Sequence, residues 1–567
     1  MRIRAGLLLA LCVGLVASAA AQSPPASTAS DGEIRTILAE RIDVQRQSVG
    51  IVVGVLESGG RRIVTYGSPA KGDARTLNGD TVFEIGSISK VFTSLLLADA
   101  VERGEVSLTD PVAKFLPASV RMPERGRAIT LQDLATHTSG LPRLPTNMTP
   151  KDGNNPYADY TVAQLYAFLS GYELTRDVGA QYEYSNLGGG LLGHVLALRA
   201  GSSYEALVEA RITGPLGMAS TRITLPAEMQ ARLATGYSPT LQPATHWDLP
   251  TLAGAGALRS TANDLLIFLS AALGDRPSPL ARAFSAMTAV RLPTGAPTLE
   301  IALGWHVFTA NGREVVWHDG GTGGYRTFVG FDRAARRAIV ALSNAGTLAG
   351  VNDIGRHILD PQAPLLARDS PLVTPPKERV AIPVDPAIFT GYVGRYQLAP
   401  AVFFTVTTDA RSLFVQLTGQ PAFEVFAETT TNYFLKVVDA QITFETDAQG
   451  KATALVLHQG GADQRAPRLE GEPVIPTEVA LDPAVLEGYV GRYQLAPPVA
   501  LIITRQEGRL FAQVTGQPSV EVFASGPRDF FYKVVNAQLT FEVGADGKAT
   551  AVVLHQFGRD IRGARVP

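Results

Sequence analysis

A gapless internal repeat constrains the last third of this chain more than any other feature. Gly391-Tyr-Val-Gly-Arg-Tyr-Gln-Leu-Ala-Pro400 returns 97 residues on, as the identical string Gly488 to Pro497. The same interval relates Thr418-Gly-Gln-Pro421 to Thr515-Gly-Gln-Pro518, and Leu457-His-Gln459 to Leu554-His-Gln556. A fixed period without gaps means a duplicated small domain. Each copy breaks into short aromatic and β-branched runs, such as Phe403-Phe-Thr-Val-Thr and Tyr433-Phe-Leu-Lys-Val-Val, separated by Gly or Asp turns. Seven or eight such strands in fewer than about 90 residues predict a small antiparallel barrel or sandwich. Neither copy carries a cluster of titratable residues, and the matched His458 and His555 are read as structural.

The N-terminus carries an address. Arg2 and Arg4 precede an apolar run from Ala5 to Val16, and Ala19-Ala-Ala21 follows, the pattern of a secretory signal cleaved near Ala21. The run is short for a membrane-spanning helix, which needs about 20 apolar residues. The expectation is therefore a secreted protein of the bacterial periplasm, without stable membrane insertion. The domain plan is a signal peptide (1–21), a main body (22–360), a Pro-rich linker (361–383), a first β-domain (384–461), a linker (462–480) and a second β-domain (481–567). Alternation of strand patterns such as Gly50-Ile-Val-Val-Gly-Val-Leu56 with long helical patterns makes the main body α/β or α+β.

Composition removes several kinds of chemistry. Fifty basic residues against 52 acidic ones give a formal net charge of −2, without the basic excess of a nucleic-acid binder. The one cysteine, Cys12, excludes an intrachain disulfide, a cysteine nucleophile and a Cys-based zinc site. No two of the eight histidines stand in an HxxxH or HExxH spacing, so a metal of that type is not expected.

Three short strings carry the chemistry. In Phe83-Glu-Ile-Gly-Ser-Ile-Ser-Lys90 a helix begins near Ser87, so Ser87 and Lys90 share one helix face and the lysine can take the serine's proton. In Tyr182-Glu-Tyr-Ser-Asn186 the Tyr184 phenol, beside a lysine ammonium, loses its proton more easily than in water, and Asn186 can bind a carbonyl or orient the lysine. In Trp317-His-Asp-Gly-Gly321 the glycines let a substrate lie close to a strand edge.

The first string resembles the active-site signature of class C β-lactamases. The order Ser87-x-x-Lys90, then Tyr184-x-Asn186, then His318-x-Gly320 resembles the serine β-lactamase and penicillin-recognising superfamily. Thr130 to Pro142, Gly214 to Thr221 and Ala253 to Asp264 add further similarity, and the β-domains resemble small lipocalin-like domains that follow some exported serine hydrolases. The resemblance implies an α+β fold, an antiparallel sheet flanked by helices, followed by two barrel-like domains. It implies a serine hydrolase that opens a β-lactam or related amide through an acyl-enzyme on Ser87, assisted by Lys90 and Tyr184. Asn186 would hold the substrate amide, and His318 would meet a substrate carboxylate or the Tyr184 oxygen. The resemblance puts the oxyanion between the backbone N–H groups of Ser87 and Gly321, just past Gly320. No cofactor or metal is implied, and the partner is a small-molecule amide, β-lactam or cell-wall peptide.

His318 departs from the class C pattern, where lysine stands. Alternatives stay open: a D-alanyl-D-alanine carboxypeptidase or D-amino-acid peptidase, an esterase, and, least favoured, a non-catalytic sensor. His137 and His194 are read as structural and Glu84 as a packing or hydrogen-bonding residue, and the resemblance assigns no role to Asp319. Oligomeric state is not legible.

Overall fold

The computed structural model describes residues 29–566, except 311, 371, 374–378, 419, 421, 437–439, 460–461, 472–475, 497–498, 507, 516–518, 534, 536 and 557–558. The proposed signal segment lies outside the described residues.

The main body is built on one antiparallel sheet. Its strands are β1 (Gly50–Glu57), β2 (Gly60–Gly67), β5 (Leu292–Pro293), β6 (Leu299–Ile301), β7 (His306–Ala310), β8 (Arg313–Gly321), β9 (Arg326–Asp332) and β10 (Arg337–Ser343), in spatial order β2-β1-β10-β9-β8-β7-β6-β5. A separate pair, β3 (Val82–Glu84) with β4 (Arg259–Thr261), leads into the nucleophile string. Period-two alternation sends β1 side chains to two cores. Ile51, Val53 and Val55 pack with Ile34 and Leu38 of α1 (Asp31–Ala39), whereas Val52 joins the larger core on the opposite face. Both faces of the sheet are thus covered by helices, the α+β arrangement expected.

The larger core is organised around α2 (Ser89–Glu102), where every residue from Ser89 to Ala100 is buried. A helix apolar on all sides belongs inside a protein. The helix begins two residues later than the sequence predicts: Gly86–Ile88 forms a 3-10 turn, so Ser87 sits at the entrance to α2 rather than within it. Helix α3 (Asn186–Ala200) lies across α2; its N-terminus is capped by the Ser185 hydroxyl, which accepts from the Gly188 amide at 2.8 Å.

Both repeats form eight-stranded antiparallel meanders, and the repeated motif explains why. The Tyr392 ring stacks on Phe444 (centroids 4.4 Å apart) and Tyr489 does the same on Phe541 (4.5 Å). The second tyrosine of each motif, Tyr396 or Tyr493, is buried and donates to the carbonyl of the first at 2.5 and 2.6 Å. A Cβ at Gly391 or Gly488 would stand 2.5 Å from a turn carbonyl, so only glycine allows that approach.

The copies differ at the seam. The second closes, with Arg492, Tyr493 and Gln494 paired to Val566, Arg565 and Ala564. The first stays open apart from a bridge between Tyr396 and Arg468. Pro467 occupies the position of Ala564. The Leu469 amide donates across the seam to the Arg395 carbonyl (2.8 Å), so the residue two earlier faces the same way. Proline there has no N–H to give, and the ladder stops.

Candidate active site

The fold brings the first two strings together and lays the third against them. Lys90 Nζ lies 2.9 Å from Ser87 Oγ, 2.9 Å from Asn186 Oδ1 and 2.7 Å from the Ala255 carbonyl. Burial, and the nearby Arg143 cation, push the Lys90 pKa well below its ordinary value. A neutral amine has two hydrogens and one lone pair. Asn186 Oδ1 and the Ala255 carbonyl can only accept, so they take the two hydrogens and the lone pair faces the Ser87 hydroxyl. The geometry fits a base poised on a nucleophile.

Tyr184 stands beside Ser87, and Lys90 Nζ lies 4.8 Å from the centre of its ring. Here the sequence reading needs correction. Burial pushes the Tyr184 pKa up, so the phenol keeps its proton. Asn186 orients Lys90 as expected, and its Nδ2 donates to the Tyr157 hydroxyl at 3.1 Å.

His318 is buried on β8, and its Nδ1 donates to the Asp319 carbonyl at 2.6 Å. That contact fixes the tautomer and leaves Nε2 a lone pair, buried without a partner. Burial and the neighbouring His306 lower its pKa to about 3. It is therefore neutral at pH 7, so a contact of His318 with a substrate carboxylate would be a hydrogen bond and not an ion pair. Its ring centre lies 6.3 Å from that of Tyr184.

Gly320 also has a different reason from the one expected. A Cβ there would stand 2.0 Å from the Ile85 carbonyl and 2.3 Å from Thr327 Oγ1. Glycine is required because β8 presses against the nucleophile turn. On the other side of the same contact, a Cβ at Gly86 would stand 2.6 Å from the Gly321 amide nitrogen, which places that N–H beside the Ser87 turn.

The residues given no catalytic role are all tied into the scaffold. His137 Nδ1 accepts from the Ser185 amide at 3.2 Å, and its ring packs on Tyr184 with centroids 4.5 Å apart. His194 bonds the Tyr166 hydroxyl (2.8 Å). Glu84 accepts from the Trp247 amide at 3.1 Å and meets His246 at 3.2 Å. Asp319 accepts from Asn352 at 2.8 Å. In the barrels, His458 lies between Asp463 (2.7 Å) and Thr443 (2.8 Å), and His555 between Asp560 and Thr540 in the same way. The sequence reading missed Tyr157, His306 and Arg143. Only Arg143 had a signal, standing one residue past the Thr130–Pro142 string.

A buried lysine on a serine at a helix entrance, with a phenol beside that serine, is the arrangement of a serine hydrolase. Residues 33–360 match the Beta-lactamase family, and the chain belongs to it. Residues 378–471 and 476–565 each match a domain of unknown function, DUF3471, so the barrels go with that domain rather than specifically with lipocalins. The chain is 28% identical to Penicillin-binding protein 4* of Bacillus subtilis (strain 168), over 71% of this chain and 91% of that protein. It is 31% identical to the D-alanyl-D-alanine-carboxypeptidase/endopeptidase AmpH of Escherichia coli (strain K12), over 56% of this chain and 85% of that protein. The crystal structure of a beta-lactamase/D-alanine carboxypeptidase from Pseudomonas syringae shares the fold at 22% identity, with a TM-score of 0.52, over 59% of this chain and 100% of that one. Among the described residues no helix is long and apolar enough to cross a membrane.

Proposed function

We propose that the chain is an exported hydrolase that opens a β-lactam or related amide through an acyl-enzyme on Ser87. The three contacts of Lys90 carry this reading. Lys90 takes the Ser87 proton as Oγ bonds to the substrate carbonyl carbon. The oxyanion forms between the Ser87 and Gly321 amides, helped by the positive end of α2. Tyr184 gives its proton to the leaving nitrogen as the C–N bond breaks, and the Lys90 ammonium, whose Nζ lies 4.8 Å from the Tyr184 ring centre, passes its proton to the phenolate. Water then attacks the ester, returning a proton to Ser87 and freeing the acid. Asn186 holds Lys90 and the substrate amide, and His318 Nε2 accepts a hydrogen bond from Tyr184 or from the substrate.

A second reading, a D-alanyl-peptide carboxypeptidase that β-lactams acylate without fast release, is favoured by the uncharged His318. The names carried by Penicillin-binding protein 4* and AmpH support it. Hydrolysis of a chromogenic cephalosporin by the purified protein, with Ser87→Ala as control, separates the two. Turnover that Ser87→Ala abolishes means a β-lactamase; a persistent Ser87-dependent adduct by intact mass means the carboxypeptidase. Turnover retained in Ser87→Ala defeats both. Export is tested by the N-terminal residue of the secreted protein, expected just after Ala21.

A further inference from the structure

We propose that Arg143 anchors a carboxylate of the substrate at the mouth of the Ser87 site. The inference rests on the acyl-transfer reading and adds the group that selects the substrate. Arg143 is exposed, and among the described residues its guanidinium meets neither a carboxylate nor a hydrogen-bond acceptor. Other arginines of this region are occupied: Arg176 pairs with Glu183, Arg259 with Glu84, and Arg326 donates to the Thr322, Tyr325 and Thr347 carbonyls.

The position is built rather than accidental. The Arg143 carbonyl accepts the Asn186 and Leu187 amides at 3.0 and 3.2 Å, and the Ser185 hydroxyl donates to the Pro142 carbonyl at 2.7 Å. The backbone is thereby fixed to the start of α3. The guanidinium carbon stands 5.2 Å from the centre of the Tyr184 ring, a cation–π contact that orients it. Tyr184 in turn stands beside Ser87.

Charge gives the sign of the ligand. Arg143 carries a guanidinium cation, and among the described residues no acid is bonded to it. His318 supplies no cation at pH 7, since burial on β8 beside His306 keeps it neutral. A guanidinium fork matches the two oxygens of a carboxylate.

The test compares acylation of Ser87 by a cephalosporin free acid and by its methyl ester, followed by intact mass. A neutral fluorophosphonate serves as a Ser87 probe indifferent to the carboxylate. The wild-type protein is expected to prefer the free acid by about 10- to 100-fold, the range of a charge-assisted contact. In Arg143→Ala the acid-to-ester ratio should collapse toward one, and Arg143→Lys, with charge but no fork, should keep part of it. Added salt should erode the wild-type ratio. An unchanged ratio in Arg143→Ala, no preference in the wild type, or no acylation by the free acid overturns the anchor. Failure of the fluorophosphonate to label Ser87 overturns the acyl-transfer reading, and the anchor with it.

Discussion

Lys90 shows how burial turns an ordinary side chain into a reagent. In water its amine would be charged and useless as a base at pH 7. Inside the core, with no carboxylate bonded to it, the charged form is disfavoured. The rate of Ser87 acylation should therefore rise with pH along a limb set by Lys90, well below the usual lysine value. Lys90→Gln should lower acylation by about 100-fold or more and remove that limb, measured as a pH profile of fluorophosphonate labelling. No histidine limb is expected between about pH 5 and 8, because His318 stays neutral there. Gly320 is the second sensitive residue. Gly320→Ala would drive a methyl into the Ile85 carbonyl, displacing the Ser87 turn. A loss of about 1–3 kcal/mol of stability is expected by denaturant titration, with a larger loss of acylation.

At the scale of elements, the two barrels form an internal control. Their cores match at fifteen positions, yet one seam is closed and the other is not. Pro467→Ala restores the missing donor. Its new amide should be protected from hydrogen exchange, with a gain of about 0.5–1.5 kcal/mol for the first barrel. The reverse change, Ala564→Pro, should open the second barrel and lower its melting temperature. If the amide gained in Pro467→Ala exchanges as fast as an exposed one, proline is not what holds the seam open. The nucleophile turn follows the same kind of local logic. It is held by the β8 contact and by the Ile85 amide, which donates to the Leu258 carbonyl at 3.0 Å.

For the whole molecule, the separate cores predict separate unfolding. The hydrolase core and the two barrel cores share no residues, so calorimetry should show more than one transition. The chain up to Val373 stays with the hydrolase, since the Val373 carbonyl accepts from Gln47 Nε2 at 2.5 Å. Removing residues 378–567 should therefore leave Ser87 labelling within about twofold of the full chain; a larger loss would mean that the barrels act on the site. Acid should destabilise the hydrolase first. His137, His306 and His318 are buried and neutral, with folded pKa values depressed below 6.5. The unfolded chain takes up these protons as pH falls through about 6.5 and the folded chain does not, so stability is present above that pH and lost below it. Each group contributes about 1.4 kcal/mol per pH unit in that window, read as the fall in melting temperature of the hydrolase transition.

The sequence by itself determined the order of the three strings, the duplicated β-domains and the hydrolase class. These are encoded in short contiguous segments: a serine and lysine one helical turn apart, or a tyrosine-glycine motif repeated at a fixed interval. The tertiary structure decided what depends on surroundings. The charge of Lys90, the protonated state of Tyr184, the neutral tautomer of His318 and the unpaired cation at Arg143 are set by burial and by partners far away in the chain. Ala255 lies 165 residues from Lys90, yet its carbonyl is one of the contacts that aim the lysine. The reason for Gly320 is likewise invisible in one dimension, because Ile85, which forbids a side chain there, meets it only once β8 packs against the turn. Sequence spacing fixes which groups share an element; desolvation and proximity, which tune their chemistry, exist only after the elements pack.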